Sequence, residues 1–276
     1  RMPRLAHAHT VRSVYAHAKI RGIETAAAHA APGVLAVLTA ADLAADGIGS
    51  LPCGVQLPKS DGQKAHQASR PILAGDRVRY VGDCVVLVVA ETAEQAEAAG
   101  ELIEIDYDPI DAVAEAGAAP AAGAPAVWDE VPDNVAFVWR KGDLDALDTV
   151  FAGAAHVARL SSHVSRVTAC SMEPRGALGL VDDSGRLVLH ASNQSPFAMK
   201  PTIAGLFKVD PSMVRILAGD VGGSFGMKSG VYPEDVLVLW AARRLGRPVR
   251  WISERRESFL SDDHGRDVHI DAELAL

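Results

Sequence analysis

The segment Gly219–Ser229, GDVGGSFGMKS, holds the residues best suited to receiving an anion. Gly222, Gly223 and Gly226 crowd together directly after the apolar run Val214–Ala218. Glycines spaced in this way let the backbone approach a ligand closely and aim several N–H groups at it. Two familiar phosphate-binding patterns do not fit. GxGxxG fails on the glycine spacing, and GxxxxGK(S/T) fails because Met227 separates Gly226 from Lys228. A plain tight turn stays open on the residues alone. Phe225, set among the glycines, reads either as a core anchor or as a wall over a buried ligand. Upstream, Asn193–Gln194–Ser195 lies at the junction of a strand and a helix. The neutral amide of Gln194 there could donate a hydrogen bond to an oxo or carbonyl oxygen without adding charge; an ordinary capping or surface residue is the other reading. Met172–Glu173–Pro174–Arg175 reads as a polar turn whose Glu and Arg form a surface pair worth under about 1 kcal/mol.

No side-chain metal site is expected. His7 and His9 would share one face of a strand, and His17, His29, His66 and Asp262–Asp263–His264 add further groups, but no HExxH or other recurrent zinc spacing exists. No GxSxG elbow is present. The three cysteines, Cys53, Cys84 and Cys170, contain no CxxC pair, which excludes a zinc ribbon and argues against an iron–sulfur cluster held by this chain. Sparse, odd cysteine usage fits a reducing compartment, and the cytoplasm is the expected location.

The elements that must position these residues are of mixed α/β type. Leu5–Val11, Ala18–Ile23, Cys84–Ala90 and Leu102–Tyr107 read as strands. Thr39 and Thr92 read as helix N-caps, with Gln95 completing a capping box over Ala93–Gly100. Asp46–Arg70 reads as a long Gly/Pro/polar excursion. Further along, Ala155–Val164 reads as a strand, and Ala177–Val181 with Arg186–His190 as a hairpin about Asp182–Gly185. Ser195–Leu206 and Pro233–Leu245 read as helices, and Val214–Ala218 and Val249–Ile252 as strands. The Ala/Pro/Gly-rich stretch Pro109–Asn134 reads as a linker, and the domains are expected at 1–125 and 126–276.

The chain of 276 residues has 27 Lys+Arg and 35 Asp+Glu, a formal charge of −8, with 49% hydrophobic residues. All of the acidic excess lies in residues 1–134, which hold 10 basic and 18 acidic side chains, whereas 135–276 hold 17 of each. That balance argues against nucleic acid as a partner. No apolar run approaches the roughly 20 residues of a membrane-spanning helix, and no secretory signal is seen.

Val221–Lys228, VGGSFGMK, resembles the GGGFGxK segment of the molybdenum-binding large subunits of the xanthine dehydrogenase / aldehyde oxidase / carbon monoxide dehydrogenase family. Val11–Leu43 resembles the opening of that family's α/β-hammerhead domain; Met172–Leu178, Asn193–Phe197 and Val231–Asp267 resemble segments flanking its glycine loop. The resemblance implies a hammerhead domain followed by the first part of a molybdopterin-binding α+β domain. It implies a molybdenum–molybdopterin cofactor, with the cytosine dinucleotide among its forms, whose dithiolene rather than the protein ligates the metal. Gln194 matches the glutamine donating toward an oxygen ligand of molybdenum, and Phe225 the phenylalanine beside the metal. Gly226 matches a glycine whose N–H reaches the cofactor, and Gly222, Gly223 and Ser224 would lie along the pterin. The implied reaction is hydroxylation of an aldehyde, N-heterocycle or related small molecule, with water as oxygen source. The implied partners are the remainder of the large subunit, an iron–sulfur small subunit and an FAD-binding medium subunit. Two positions depart from the pattern: Ser224 replaces the third glycine, and Ser229 replaces the Glu of purine-oxidising relatives, which argues against xanthine as substrate. The family's catalytic glutamate lies near the far C-terminus of much longer subunits, so the 276 residues alone are expected to show no turnover. A non-catalytic scaffold that docks to partner subunits is the alternative.

Overall fold

The structure, a computed structural model, describes residues 2–54, 57–58, 61–68, 70–143 and 145–276. Positions 55–56, 59–60 and 69 of the expected Asp46–Arg70 excursion lie outside the described residues. In chain order the elements are β1 (Ala6–Arg12), β2 (Ala18–Glu24), α1 (Ala26–Ala30), β3 (Val34–Leu38), α2 (Ala40–Ala45), β4 (Arg77–Val78), β5 (Cys84–Ala90), α3 (Ala93–Gly100) and β6 (Glu104–Pro109). After the expected linker come α4 (Leu147–Gly153), β7 (Val157–Val164), β8 (Gly176–Val181), β9 (Leu187–Ala191), α5 (Pro196–Phe207), β10 (Val214–Leu217), α6 (Pro233–Leu245), β11 (Val249–Ile252), α7 (Arg255–Ser261) and β12 (Val268–Ala275). The fold is mixed α/β, as the patterning predicts.

Two compact units emerge, and they do not follow residue order. One comprises Arg1–Pro52, Ser69–Ile110 and Ala169–Asp263; the other comprises Cys53–Ala68, Asp111–Thr168 and His264–Leu276. The first unit is built on a seven-stranded sheet of order β10-β9-β8-β11-β1-β5-β3, with a separate three-stranded sheet β4-β2-β6. The larger sheet joins strands from either side of the linker, because β1 pairs in parallel with β11 (Ala6 with Val249). In the second unit β7 and β12 form an antiparallel ribbon whose residues are almost all exposed.

Strand β5, CVVLVVA, is buried along its whole length. Its edges pair with β1 and β3, and both its faces are covered by packed cores, which a run of apolar, mostly β-branched residues suits. Cys84, Leu87 and Val89 enter one core with α5 and α6, while Val85, Val86, Val88 and Ala90 enter another with α3. The switch at Val85–Val86 coincides with a register shift against β1 between Val11 and Arg12. Helix α3 begins as its sequence predicts: Gln95 N–H donates to Thr92 Oγ1 at 3.2 Å, and Thr92 N–H donates to Gln95 Oε1 at 3.1 Å. Helix α6 lies directly on the sheet at Gly179, where a Cβ would come within 2.6 Å of the Val238 carbonyl.

The N-terminus of α6 carries two buried acids with opposite fates. Burial opposes ionisation of Glu234, but Arg175 and Arg12 outweigh it and hold the carboxyl well below its usual range. Arg12 Nη2 lies 2.5 Å from Glu234 Oε1, and Arg175 Nη1 lies 2.7 Å from Oε2. Asp235 has, among the described residues, a single donor in contact, the Tyr232 N–H at 2.9 Å, and burial pushes its pKa up to about 7. A folded-state pKa above the unfolded value makes Asp235 a group that costs stability as pH rises from about 4 to about 7. Asp235→Asn retains an oxygen to accept from Tyr232 and removes that cost. The variant's melting temperature, measured from pH 5 to pH 8, is therefore expected to fall less with rising pH than the parent's; an unchanged slope would show that Asp235 does not titrate there.

Candidate functional site

Strands β8, β9 and β10 are adjacent in the sheet, with β9 parallel to β10 and antiparallel to β8. The start of β8 and the ends of β9 and β10 therefore lie at one edge. Glu173 precedes β8, Gln194 follows β9, and the glycine loop follows β10, so three segments distant in sequence converge by strand order alone. Crevices beyond the carboxyl ends of strands are recurrent ligand sites in α/β folds.

The loop has left-handed backbone at Gly223 (φ 101°), Phe225 (φ 54°) and Gly226 (φ 92°). The demand for glycine differs by position. A Cβ on Gly222 would lie 2.6 Å from Glu173 Cβ, whereas at Gly226 the space is open and only the backbone conformation requires glycine. Phe225 adopts left-handed backbone at a cost of roughly 1–2 kcal/mol, and its side chain is 79% exposed. That exposure removes the core-anchor reading. Ser224 keeps a negative φ, so the turn survives replacement of the third glycine.

Side chains hold the loop. Glu173 Oε2 accepts from Gly222 N–H at 2.6 Å and from Ser192 Oγ at 2.8 Å, and Glu173 N–H donates to Gly222 O at 3.1 Å. Lys228 is buried, at 1% exposure, and its ammonium reaches Glu173 O at 2.7 Å, Ser192 Oγ at 2.8 Å and Glu173 Oε2 at 3.2 Å. Partial burial works against the Glu173 carboxylate, but the Gly222, Ser192 and Lys228 donors prevail and hold its pKa below the usual range. The lysine that follows the glycines is thus a clamp within the protein, not a cation offered to a ligand. The surface-pair reading of Glu173 and Arg175 is overturned. Arg175 is buried, pairs with Glu234 and with Asp262 at 2.6 Å, and stacks on Tyr232 with its guanidinium carbon 3.8 Å from the ring centre.

Gln194 completes the arrangement. Its N–H donates to Lys228 O at 2.9 Å. Its side-chain Oε1 accepts from Gly226 N–H at 3.0 Å and from the Ser224 hydroxyl. A backbone N–H can only donate, so the amide atom facing Gly226 must be the oxygen. The Nε2 donor is left without a partner among the described residues. Gly226 N–H, which the family pattern directs to a cofactor, is here given to Gln194. A cleft of ≈ 380 Å³ adjoins the loop, lined in part by Glu173, Ser192, Gly219 and Asp220. Ser192 and Lys228 escaped the sequence reading, because nothing local marks a lysine as buried. The histidines singled out there do not converge; His9 packs its ring against Gly100, where a Cβ would lie 2.7 Å away.

Residues 127–276 match the family model of the molybdopterin cofactor-binding domain, and residues 1–111 that of the aldehyde oxidase and xanthine dehydrogenase a/b hammerhead domain. The chain is 36% identical to the nicotine 6-hydroxylase large subunit of Paenarthrobacter nicotinovorans over 98% of its own length and 32% of that protein. It is 32% identical to the carbon monoxide dehydrogenase large chain of Hydrogenophaga pseudoflava over its whole length and 34% of the relative. Among solved structures, quinoline 2-oxidoreductase from Pseudomonas putida 86 superposes with a TM-score of 0.91 at 33% identity, covering 100% of this chain and 34% of that one. The chain thus spans about a third of the length of the relatives it matches.

Replacing the clamp should loosen the loop. Lys228→Met leaves Ser192 and the Glu173 carbonyl without their buried donor, and a loss on the order of 2 kcal/mol is expected in denaturant unfolding of the full-length subunit. An unchanged midpoint would show that the ammonium does not hold the loop.

Proposed function

As the chain belongs to the aldehyde oxidase and xanthine dehydrogenase family of molybdopterin enzymes, we propose that it forms the hammerhead domain (1–125) and the first part of the molybdopterin-binding domain (126–276) of a hydroxylase large subunit. The complete enzyme would hydroxylate an aldehyde, an N-heterocycle or a related small molecule, taking oxygen from water. Two of the similar proteins are named for N-heterocycles, nicotine and quinoline, and we take that class as the first to test. Electrons would leave through an iron–sulfur small subunit and an FAD-binding medium subunit. Among the described residues no helix is long and apolar enough to cross a membrane, and we assign the complex to the cytoplasm.

The observation that carries this reading is the Gln194 amide, with its oxygen occupied twice and its nitrogen free to donate outward. The donor chemistry suits a molybdenum–molybdopterin group. The site offers the neutral Gln194 Nε2 donor, with open space beside Gly226 Cα. When bound, that cofactor supplies the redox centre that accepts electrons from the substrate. Gly226 N–H and Ser224 fix the direction of the Gln194 amide, whose Nε2 would donate to an oxygen of the group. Gly222, Gly223 and Ser224 would lie along the pterin. Phe225, exposed on left-handed backbone, would stand beside the metal.

The full-length subunit, purified with its partners, should contain molybdenum by elemental analysis and release a fluorescent pterin on oxidation. Gln194→Ala should retain the metal while kcat on an N-heterocycle falls about 100-fold, the scale of losing one preorganised donor. An assembled complex with neither molybdenum nor pterin would overturn the proposal.

A further inference from the structure

The second unit brings together three side chains that no spacing in the sequence marks. His163 on β7 and His269 on β12 are direct partners in the antiparallel ladder. Their rings lie parallel, with centroids 4.2 Å apart and planes within 5°. Asp267, just before β12, places Oδ1 3.2 Å from His163 Nε2. One ligand atom from each of the three lies within 4.8 Å of the others, and among the described residues no other group of three or more His, Cys, Asp or Glu converges in this way.

We propose that His163, Asp267 and His269 form a binding site for a divalent first-row transition ion of the zinc class. Two imidazoles and one carboxylate are the donor set such ions prefer, and three protein ligands leave one tetrahedral position for water. The carboxylate is already oriented. Arg166 Nη2 holds Asp267 Oδ2 at 2.8 Å and Ala116 N–H lies 3.3 Å from the same oxygen, so Oδ1 is turned toward the histidines. Such outer contacts are what fix ligands at metal centres. Gly117 leaves room for the ring of His269, since a Cβ there would lie 2.7 Å from its Nε2. The backbone is left-handed at both Arg266 (φ 72°) and Asp267 (φ 62°), an arrangement that costs energy and persists where the surroundings demand it. Zinc–nitrogen bonds of about 2.0–2.1 Å set tetrahedral ligand atoms about 3.3 Å apart, a spacing that His163 Nε2 and Asp267 Oδ1 already have at 3.2 Å and that the His269 ligand atom, within 4.8 Å of both, can reach. Both histidines are exposed, so their rings can turn inward without repacking a core.

The test uses the molybdenum-loaded full-length subunit, washed with chelator and titrated with zinc by calorimetry. One equivalent is expected to bind, and His163→Ala and His269→Ala should each weaken it at least tenfold. His29→Ala, a histidine outside the group, should bind as the parent does. Cobalt substituted for zinc should give the intense visible bands of a tetrahedral ion. Molybdenum content and the metal-free melting temperature should be the same in all variants, which separates a lost ligand from a lost fold. Unchanged zinc affinity in both variants, or a cobalt spectrum no different from that of the aqueous ion, would overturn the site.

Discussion

A loop that leaves the end of a strand has no ladder to define it, and the stretch after β10 is made harder to define by three residues with left-handed backbone. Its shape must come from side chains that reach it from elsewhere. Glu173 and Gln194 provide this, the first through its carboxylate and carbonyl and the second through its amide oxygen, and the loop's own N–H groups and its Lys228 ammonium donate to them. The consequence is chemical as well as structural. Each donor used to hold the loop is removed from the set a ligand could use, so what remains exposed is specific: the Gln194 Nε2 and the unoccupied face around Gly223 and Phe225.

Beneath the loop lies a second constraint. Arg175, two residues from Glu173, carries the chain from the exposed edge into a buried ionic cluster with Glu234, Asp262, Arg12 and Glu257. Buried charges are costly unless every partner is present. In this cluster each guanidinium meets two carboxylates, and Tyr232 covers the Arg175 plane. Tyr232 in turn donates its hydroxyl to Met227 O at 3.0 Å, inside the glycine loop. The loop is thus tied from above by Glu173 and from below by Tyr232, and the two ties meet at Arg175.

Much of this was legible from residues alone where the determinant is local. The β5–α3–β6 unit was readable because a β-branched run and a capping box each act within a few residues. The hairpin β8–β9 was readable from its turn. Helix α7 was not, because its charged residues carry little apolar period; Arg255, Arg256 and Glu257 look like a surface run. The ribbon β7–β12 is exposed on both faces, so the alternation that marked β7 is weak and β12 left no mark. At the site, Gln194, Phe225 and the glycines could be named from type and position, but their convergence depends on the order of β8, β9 and β10 in the sheet. The parallel pairing of β1 with β11 is likewise a long-range fact that no window of sequence contains. Lys228 is the sharpest case: a lysine beside glycines suggests an anion's partner, and only burial reveals that its charge is already spent on Glu173 and Ser192.

The two serines that depart from the family pattern can be understood in the same terms. Ser224, in place of glycine, uses its hydroxyl as a bridge: it donates to Gln194 Oε1 and accepts from Lys228 N–H at 3.1 Å. A glycine there would leave the Gln194 oxygen with Gly226 alone. The replacement therefore stiffens the amide on whose direction the proposed chemistry depends. Ser229 stands where purine-oxidising relatives have a carboxylate, and its hydroxyl turns back to donate to Gly226 O at 2.7 Å. That position closes the loop on itself with a neutral side chain. Both serines spend their polarity inside the loop, leaving its outer face to the exposed Phe225 ring and the Gln194 amide nitrogen.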